Sequence, residues 1–225
     1  MSDLDATPSK SDLKVNKLNN TCATLGETEW TKNGRYTGRT DIALTAEGER
    51  QVEGTAKLLV GTGKLIHPDR IARVWVSPRM RAQQTFRLLF RNSGSEVSHD
   101  KVTLTEDIAE WDYGDYEGLV VDEIVRTRKA KGLDQDRKYN TWRDGCEGGE
   151  SPQQVAERLD RLIAQIKEVQ APHMNGEKPV DVVLVGLHPN TANGYSAPTN
   201  LTFEQVAHGL ILRCFVKRWL KYPHR

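Results

Sequence analysis

Four short segments of this chain hold residues whose types and spacing could do chemistry. In SPRMRAQQT (77–85), Ser77, a proline suited to open a helix and two arginines, Arg79 and Arg81, stand together. Helix N–H groups, the helix dipole and a guanidinium fork all suit a phosphate; a capped helix with solvated arginines is the alternative. EWDYGDYEG (110–118) crowds aromatics and carboxylates around glycines. There Glu110, held against Trp111, could serve as a general acid, or the segment could be a loop of surface acids. In VAHGL, His208 lies between small residues directly before a helix, where it could hold charge at the helix N-terminus or be incidental. GRYTGRTDIALT offers Gly34 and Gly38 as flexible points around Tyr36 and Thr37, which plain turn chemistry also explains. The cysteines Cys22, Cys146 and Cys214, with His67, His99, His173 and His188, suggest core or surface roles.

Such groups need elements to position them. Thr45 reads as the N-cap of a helix near 46–60, with Val52, Ala56, Leu59 and Val60 on one face. IARVWV (71–76) reads as a strand. Ser77 then caps a helix with Pro78 in its first position and Ala82, Thr85, Leu88 and Leu89 inside. Ser151-Pro152-Gln153-Gln154 is a full capping box; Val155, Leu159, Leu162, Ile163, Ile166 and Val169 follow it at helical spacing. VDVVLV (180–185) is β-branched almost throughout, as in a strand covered on both faces, and 210–220 reads as a helix. Strand then helix, twice, predicts a mostly parallel sheet with helices on both sides, which binds ligands at the strands' carboxyl ends. Two stretches break the pattern. Residues 186–205 are nearly all turn-formers, too long for an ordinary loop, and NNTCAT before the loop at 27–44 is too polar for a buried strand.

Composition narrows the class. The 225 residues carry 32 Lys and Arg against 31 Asp and Glu, a net charge of +1, which gives no case for nucleic acid or a membrane surface. No apolar run is long enough to span a bilayer. The N-terminus lacks the apolar core of a signal peptide. Three cysteines without a CxxC pair fit a reducing, cytoplasmic setting rather than a disulfide or zinc scaffold.

In order along the chain, GETEWTKNGRYTGRTDIALT, SPRMRAQQT, EWDYGDYEG and AHG resemble the histidine phosphatase (phosphoglycerate mutase-like) superfamily. WDYGDYEG and WRDGCEGGES look most like its sedoheptulose-1,7-bisphosphatase branch, and the similarity runs over about 26–185 and 206–222. The resemblance implies a three-layer α/β/α sandwich with a mostly parallel sheet. It also implies a phosphatase-type hydrolase working through a phosphorylated histidine, with a small phosphorylated sugar as substrate and no metal or cofactor. By position, Arg81 corresponds to a phosphate arginine, Glu110 to the proton donor and His208 to the second histidine of the site. Gly26, Tyr36, Thr37, Gly38, Trp111 and Tyr113 fall where that family lines its substrate pocket.

The pattern is also broken in three places. Where the family has an apolar strand ending Arg-His-Gly, this chain has NNTCA and then Thr24-Leu25-Gly26, so Leu25 stands at the nucleophile's position. Twenty-one residues, 186–206, separate VDVVLV from AHG, and the chain stops at Arg225 where relatives continue. The expected organisation is therefore a polar tail over 1–25 and a domain over 26–225 interrupted at 186–206, with its first strand and C-terminal end missing. Sharp junctions between intact blocks point to retained or misplaced introns, whether a gene-model error or a splice variant. Divergence into a phosphosugar-binding or interaction pseudo-phosphatase is the rival, and the chain as written is expected to be inactive.

Overall fold

The structure, a computed structural model, describes residues 19–23, 26–91, 97–175, 178–186 and 210–221. Within them, strands β1 (Asn19–Ala23), β2 (Ile71–Val76), β3 (Val102–Leu104) and β4 (Asp181–Val185) form one parallel sheet in the order β1-β4-β2-β3. All five residues of β4 are buried, which is why nearly every one is a branched aliphatic.

Strand side chains alternate between two faces, and each face is covered. Val74, Val76, Val183 and Val185 pack with Val52 of α2 (Ala46–Leu59) and with Leu88 and Leu89 of α3 (Met80–Phe90). Trp75, Val182 and Leu184 pack on the other side, against the last two helices, Pro152–Gln170 and Leu210–Trp219. The expected three layers are therefore present. A four-residue helix, α1 (Glu29–Lys32), precedes α2; α4 (Val121–Ala130) and α5 (Thr141–Asp144) lie between β3 and the Pro152–Gln170 helix, which is α6.

Helix α6 starts on the capping box read from sequence: the Ser151 hydroxyl accepts from the Gln154 amide, and the Gln154 side chain accepts from the Ser151 amide. Its stripe buries Leu159, Leu162 and Ile166 completely. Each such burial stabilises by about 1.5–3 kcal/mol. The Leu210–Trp219 helix, α7, buries Ile211, Leu212, Cys214 and Phe215, and Arg218 Nε donates to Asp160 of α6 at 2.6 Å.

Two expectations need correction. The first strand is not missing: Asn19–Ala23 pairs in register with Asp181–Val185 along its whole length. Ladder hydrogen bonds are made by the main chain, so a segment too polar for a core strand can still pair at the margin of a sheet. Helix α3 starts at Met80 rather than at Pro78, with Arg79 as N-cap. The Ser77 amide is spent on the Val185 carbonyl (2.9 Å), which carries the β2–β4 pairing one residue past the end of β2, and Asp41 Oδ1 accepts from the Met80 amide at 2.6 Å. Leu25, His208, the 1–18 tail and the interruption beyond Gly186 lie outside the described residues. Among the described residues, no helix is long and apolar enough to cross a membrane.

Candidate active site

The carboxyl ends of β2 and β4 meet at Ser77 and Gly186, and the segments that follow carry the candidate groups. In the first turn of α3, Arg81 is fully buried, not solvated. Its Nη1 donates to the Thr40 carbonyl (2.6 Å) and its Nη2 to the carbonyls of Gly38 (2.8 Å) and Thr37 (3.4 Å). Arg81 Nε is buried with no hydrogen-bond partner among the described residues. Burial, with Arg79 adding to it, pushes this guanidinium down to about 10, while Glu110, Asp41 and Glu117 oppose the fall. Arg79 itself turns aside to Glu106 at 2.9 Å.

The 37–40 loop that receives Arg81 is held from its other side by Glu117. That carboxylate accepts from the amides of Gly38 (2.9 and 3.0 Å) and Thr40 (3.0 Å). A Cβ at Gly38 would stand 2.1 Å from the Trp111 carbonyl, so glycine is required by close approach rather than by backbone angle. The loop thus offers its carbonyls to a cation and its amides to an anion, and both positions are filled from within the chain.

Glu110 is 3% exposed, which rules out the loop of surface acids. Its Oε1 accepts from the Trp111 amide at 2.8 Å; Oε2 is buried with no hydrogen-bond partner of normal geometry among the described residues. Burial drives this carboxyl up to about 7. The Trp111 amide, Arg158, Arg81 and the Ile211 amide at the start of α7 pull the other way, and burial wins. A carboxyl poised near neutrality beside a buried cation can hold a proton and give it up at physiological pH.

Aromatic rings close the same region. Tyr36 and Tyr113 meet edge to face, 4.7 Å between centroids. Burial raises both phenols, Tyr113 well above its ordinary value with the Glu110 charge adding to the effect, so both hydroxyls stay protonated. Trp111 is buried edge-on to Trp142 at 6.3 Å, its indole N–H on the Glu150 carbonyl at 2.9 Å.

The structure therefore brings Tyr36, Thr37, Gly38, Arg81, Glu110, Trp111 and Tyr113 into one neighbourhood. Gly26 is not part of its contacts: it packs on α2, where a Cβ would stand 2.0 Å from the Gly48 carbonyl. Sequence reasoning passed over Glu117, Glu150 and Arg158. Arg158 did leave a signal, a charged residue within the apolar stripe of α6, where it is only 6% exposed. Glu117 and Glu150 left none, because Glu117 and one oxygen of Glu150 serve main-chain amides far away in sequence, and the Glu150–Arg158 pair joins the residue before the N-cap of α6 to that helix's second turn without a periodic signal.

Residues 26–188 match the model of the Histidine phosphatase superfamily (branch 1). The sedoheptulose 1,7-bisphosphatase of Saccharomyces cerevisiae is 37% identical over 195 residues, 86% of this chain. The chain spans 64% of that yeast protein's length. The acid phosphatase of Mycobacterium tuberculosis is 32% identical over 198 residues, 88% of this chain and 73% of that protein. Among solved structures, an open reading frame of Mycobacterium tuberculosis superposes with a TM-score of 0.62 at 31% identity, covering 91% of this chain and 81% of that one. A mycobacterial glucosyl-3-phosphoglycerate phosphatase gives 0.60 at 21% identity, with 90% and 79% covered, a likeness of fold alone.

Proposed function

This chain belongs to the histidine phosphatase superfamily, and from that premise we propose that it carries the site of a phosphatase acting on a small phosphorylated sugar. As written, it recognises the phosphate ester without turning it over. The observation that carries the reading is Glu110, a buried carboxyl near neutrality with one oxygen that has no hydrogen-bond partner of normal geometry among the described residues, within electrostatic reach of the buried Arg81. Once a histidine nitrogen at position 25 attacks phosphorus, Glu110 would give its proton to the leaving sugar oxygen as the P–O bond breaks; in the chain as it stands Glu110 faces the bound ester without that step. Arg81 offers its Nε–H, without a partner among the described residues, and its charge to the phosphoryl oxygens. Tyr36, Thr37, Gly38, Trp111 and Tyr113 line the sugar side, and His208 is assigned the second cationic contact by its place in the family motif. Sugar-phosphate preference rests on the 37% identity to the yeast enzyme and on the resemblance of the WDYGDYEG block to the sedoheptulose-1,7-bisphosphatase branch.

Turnover in this family's manner needs a histidine nitrogen to attack phosphorus and carry the phosphoryl group until water removes it. Leu25 has no lone pair to offer. Release of inorganic phosphate from sedoheptulose 1,7-bisphosphate and from an aryl phosphate, followed side by side, tests the proposal. The chain as written should give no turnover above background while still binding the sugar phosphate by calorimetry. Restoring Arg-His-Gly (Thr24→Arg with Leu25→His) and deleting 186–206 should bring phosphate release. Turnover of about 1 per second or faster from the unaltered chain would refute the assignment of the nucleophile. Absence of sugar-phosphate binding would refute the recognition site.

A further inference from the structure

Arg158 is among the buried cations that this reading does not use. Arg158 faces inward from the second turn of α6, and its donors are spent on two targets. Nε and Nη2 grip the Glu150 carboxylate at 2.8 and 2.9 Å, a fork-to-fork pair. Nη1 reaches the carbonyls of Ala109 (2.7 Å), Asp107 (3.1 Å) and Glu106 (3.3 Å), and Nη2 reaches that of Glu110 (3.3 Å). Four carbonyls of five consecutive residues thus converge on one guanidinium. The loop that presents Glu110 makes only a single 3-10 turn, Glu106–Ile108, whose bond from the Ala109 amide serves the Glu106 carbonyl (2.9 Å); Arg158 supplies donors to that carbonyl and to those of Asp107, Ala109 and Glu110.

Glu150 completes the bracket. Its Oε2 accepts from the Asp112 amide at 2.9 Å, its carbonyl from the Trp111 indole at 2.9 Å, and its own amide donates to the Asp112 carbonyl at 2.9 Å. The residues before Glu110 are therefore tied by Arg158 and those after it by Glu150, while the two side chains are tied to each other. A buried ion pair gains little stability against the cost of desolvating it. This one is better explained by what it orders.

We propose that Arg158, locked to Glu150, is the positioning residue for Glu110: it gathers the carbonyls of 106–110 and so holds the Glu110 carboxyl in its dry seat. The proposal goes beyond the proton-donor reading and rests on it only for its functional meaning. Among the described residues, the titratable groups that face Glu110 are Arg158 from α6, Arg81 from α3, Tyr113 from its own loop and Cys214 from α7. Arg158 is the one among them that also grips the loop's main chain.

The test follows the Glu110 carboxyl directly in the full chain, by carbon NMR of protein labelled at glutamate carboxyls, the signal being assigned by its loss in Glu110→Gln. Arg158→Lys keeps the charge and loses the planar fork. If Arg158 acted through charge alone, the titration midpoint would stay in place. Positioning predicts a fall by about one pH unit, a tenfold loss of proton affinity, as water reaches the loosened carboxyl. Ile166→Ala, a cavity in the same helix away from this loop, should leave the midpoint alone; an equal fall there would reduce the effect to general softening and overturn the proposal. An unmoved midpoint in a folded Arg158→Lys protein would overturn it too. Should Arg158→Lys lose its cooperative melt, Glu150→Gln decides. Exchange of the Trp111 and Asp112 amides should then quicken by about tenfold or more, and unchanged exchange refutes the bracket. Failure of the proton-donor reading would show separately: repaired enzyme carrying Glu110→Gln would keep its turnover while the Arg158 effect on the carboxyl persisted.

Discussion

Replacing Glu110 by glutamine should make this protein more stable at neutral and alkaline pH and leave it unchanged in acid. The Glu110 carboxyl ionises at about 7 when folded, against an ordinary 4.5, because burial penalises its charge more than Arg158 and Arg81 relieve it. Below pH 4.5 both folded and unfolded chains hold the proton, and the site costs nothing. Between 4.5 and about 7 the unfolded chain ionises first, so the folded state loses stability as pH rises. Above about 7 the loss is complete. With ~1.4 kcal/mol per unit, the penalty reaches about 3 kcal/mol, a large share of the roughly 5–15 kcal/mol that holds a domain together. Glutamine keeps the shape and the acceptor for the Trp111 amide without the charge. Urea denaturation of both proteins at a series of pH values from 4 upward isolates the effect, since every other carboxylate titrates alike in the two. The curves should coincide near pH 4 and diverge to about 3 kcal/mol by pH 8, or roughly 6–12 °C in melting temperature for a chain of this size. Parallel curves across the whole range would show that Glu110 ionises at its ordinary value, and the argument for a poised acid would fall with it.

Other perturbations test the neighbouring geometry. Gly38→Ala drives a methyl to within 2.1 Å of the Trp111 carbonyl and 2.9 Å of Glu117 Oε2. The 37–40 loop must move, at a cost of about 1–3 kcal/mol in melting experiments, and sugar-phosphate affinity should fall with it. Glu117→Ala leaves the Gly38 and Thr40 amides without their acceptor. The expected loss is about 1–3 kcal/mol for each amide that stays dry, with Glu117→Gln recovering part of it. Burial raises the thiols of Cys146, to about 11, and of Cys214, further still. Neither should alkylate at pH 8 in native protein on the time scale that labels both in urea, as peptide mass mapping can show; rapid native labelling would mean that the α5–α6 junction or α7 opens readily.

How much of this was written in the chain depends on the range of the interaction. The capping box at Ser151, the N-cap at Thr45, the stripe of α6 and the branched run of β4 are local signals, and each stands where sequence reading put it. Periodicity and capping act over a turn or two, so a window of residues contains the whole cause. The four ordered blocks likewise suffice to place the chain in its family, because the order of motifs is itself a property of sequence. Three things were decided only by the folded structure. The polar Asn19–Ala23 segment pairs with β4 because strand pairing draws on main-chain groups that every residue carries, whatever its side chain. Ser77 follows directly on β2 instead of capping a helix because its amide finds Val185, more than a hundred residues away. Arg79 and Arg81 lie two residues apart and read alike in sequence. The fold sends one out to Glu106 and buries the other among three carbonyls, because one faces the margin of the α3 N-terminus and the other faces the 37–40 loop. The proton affinity of Glu110 has the same origin. It is set by the burial, the cations of α3 and α6 and the Ile211 amide of α7, all distant in the chain, with the Trp111 amide as the local contribution.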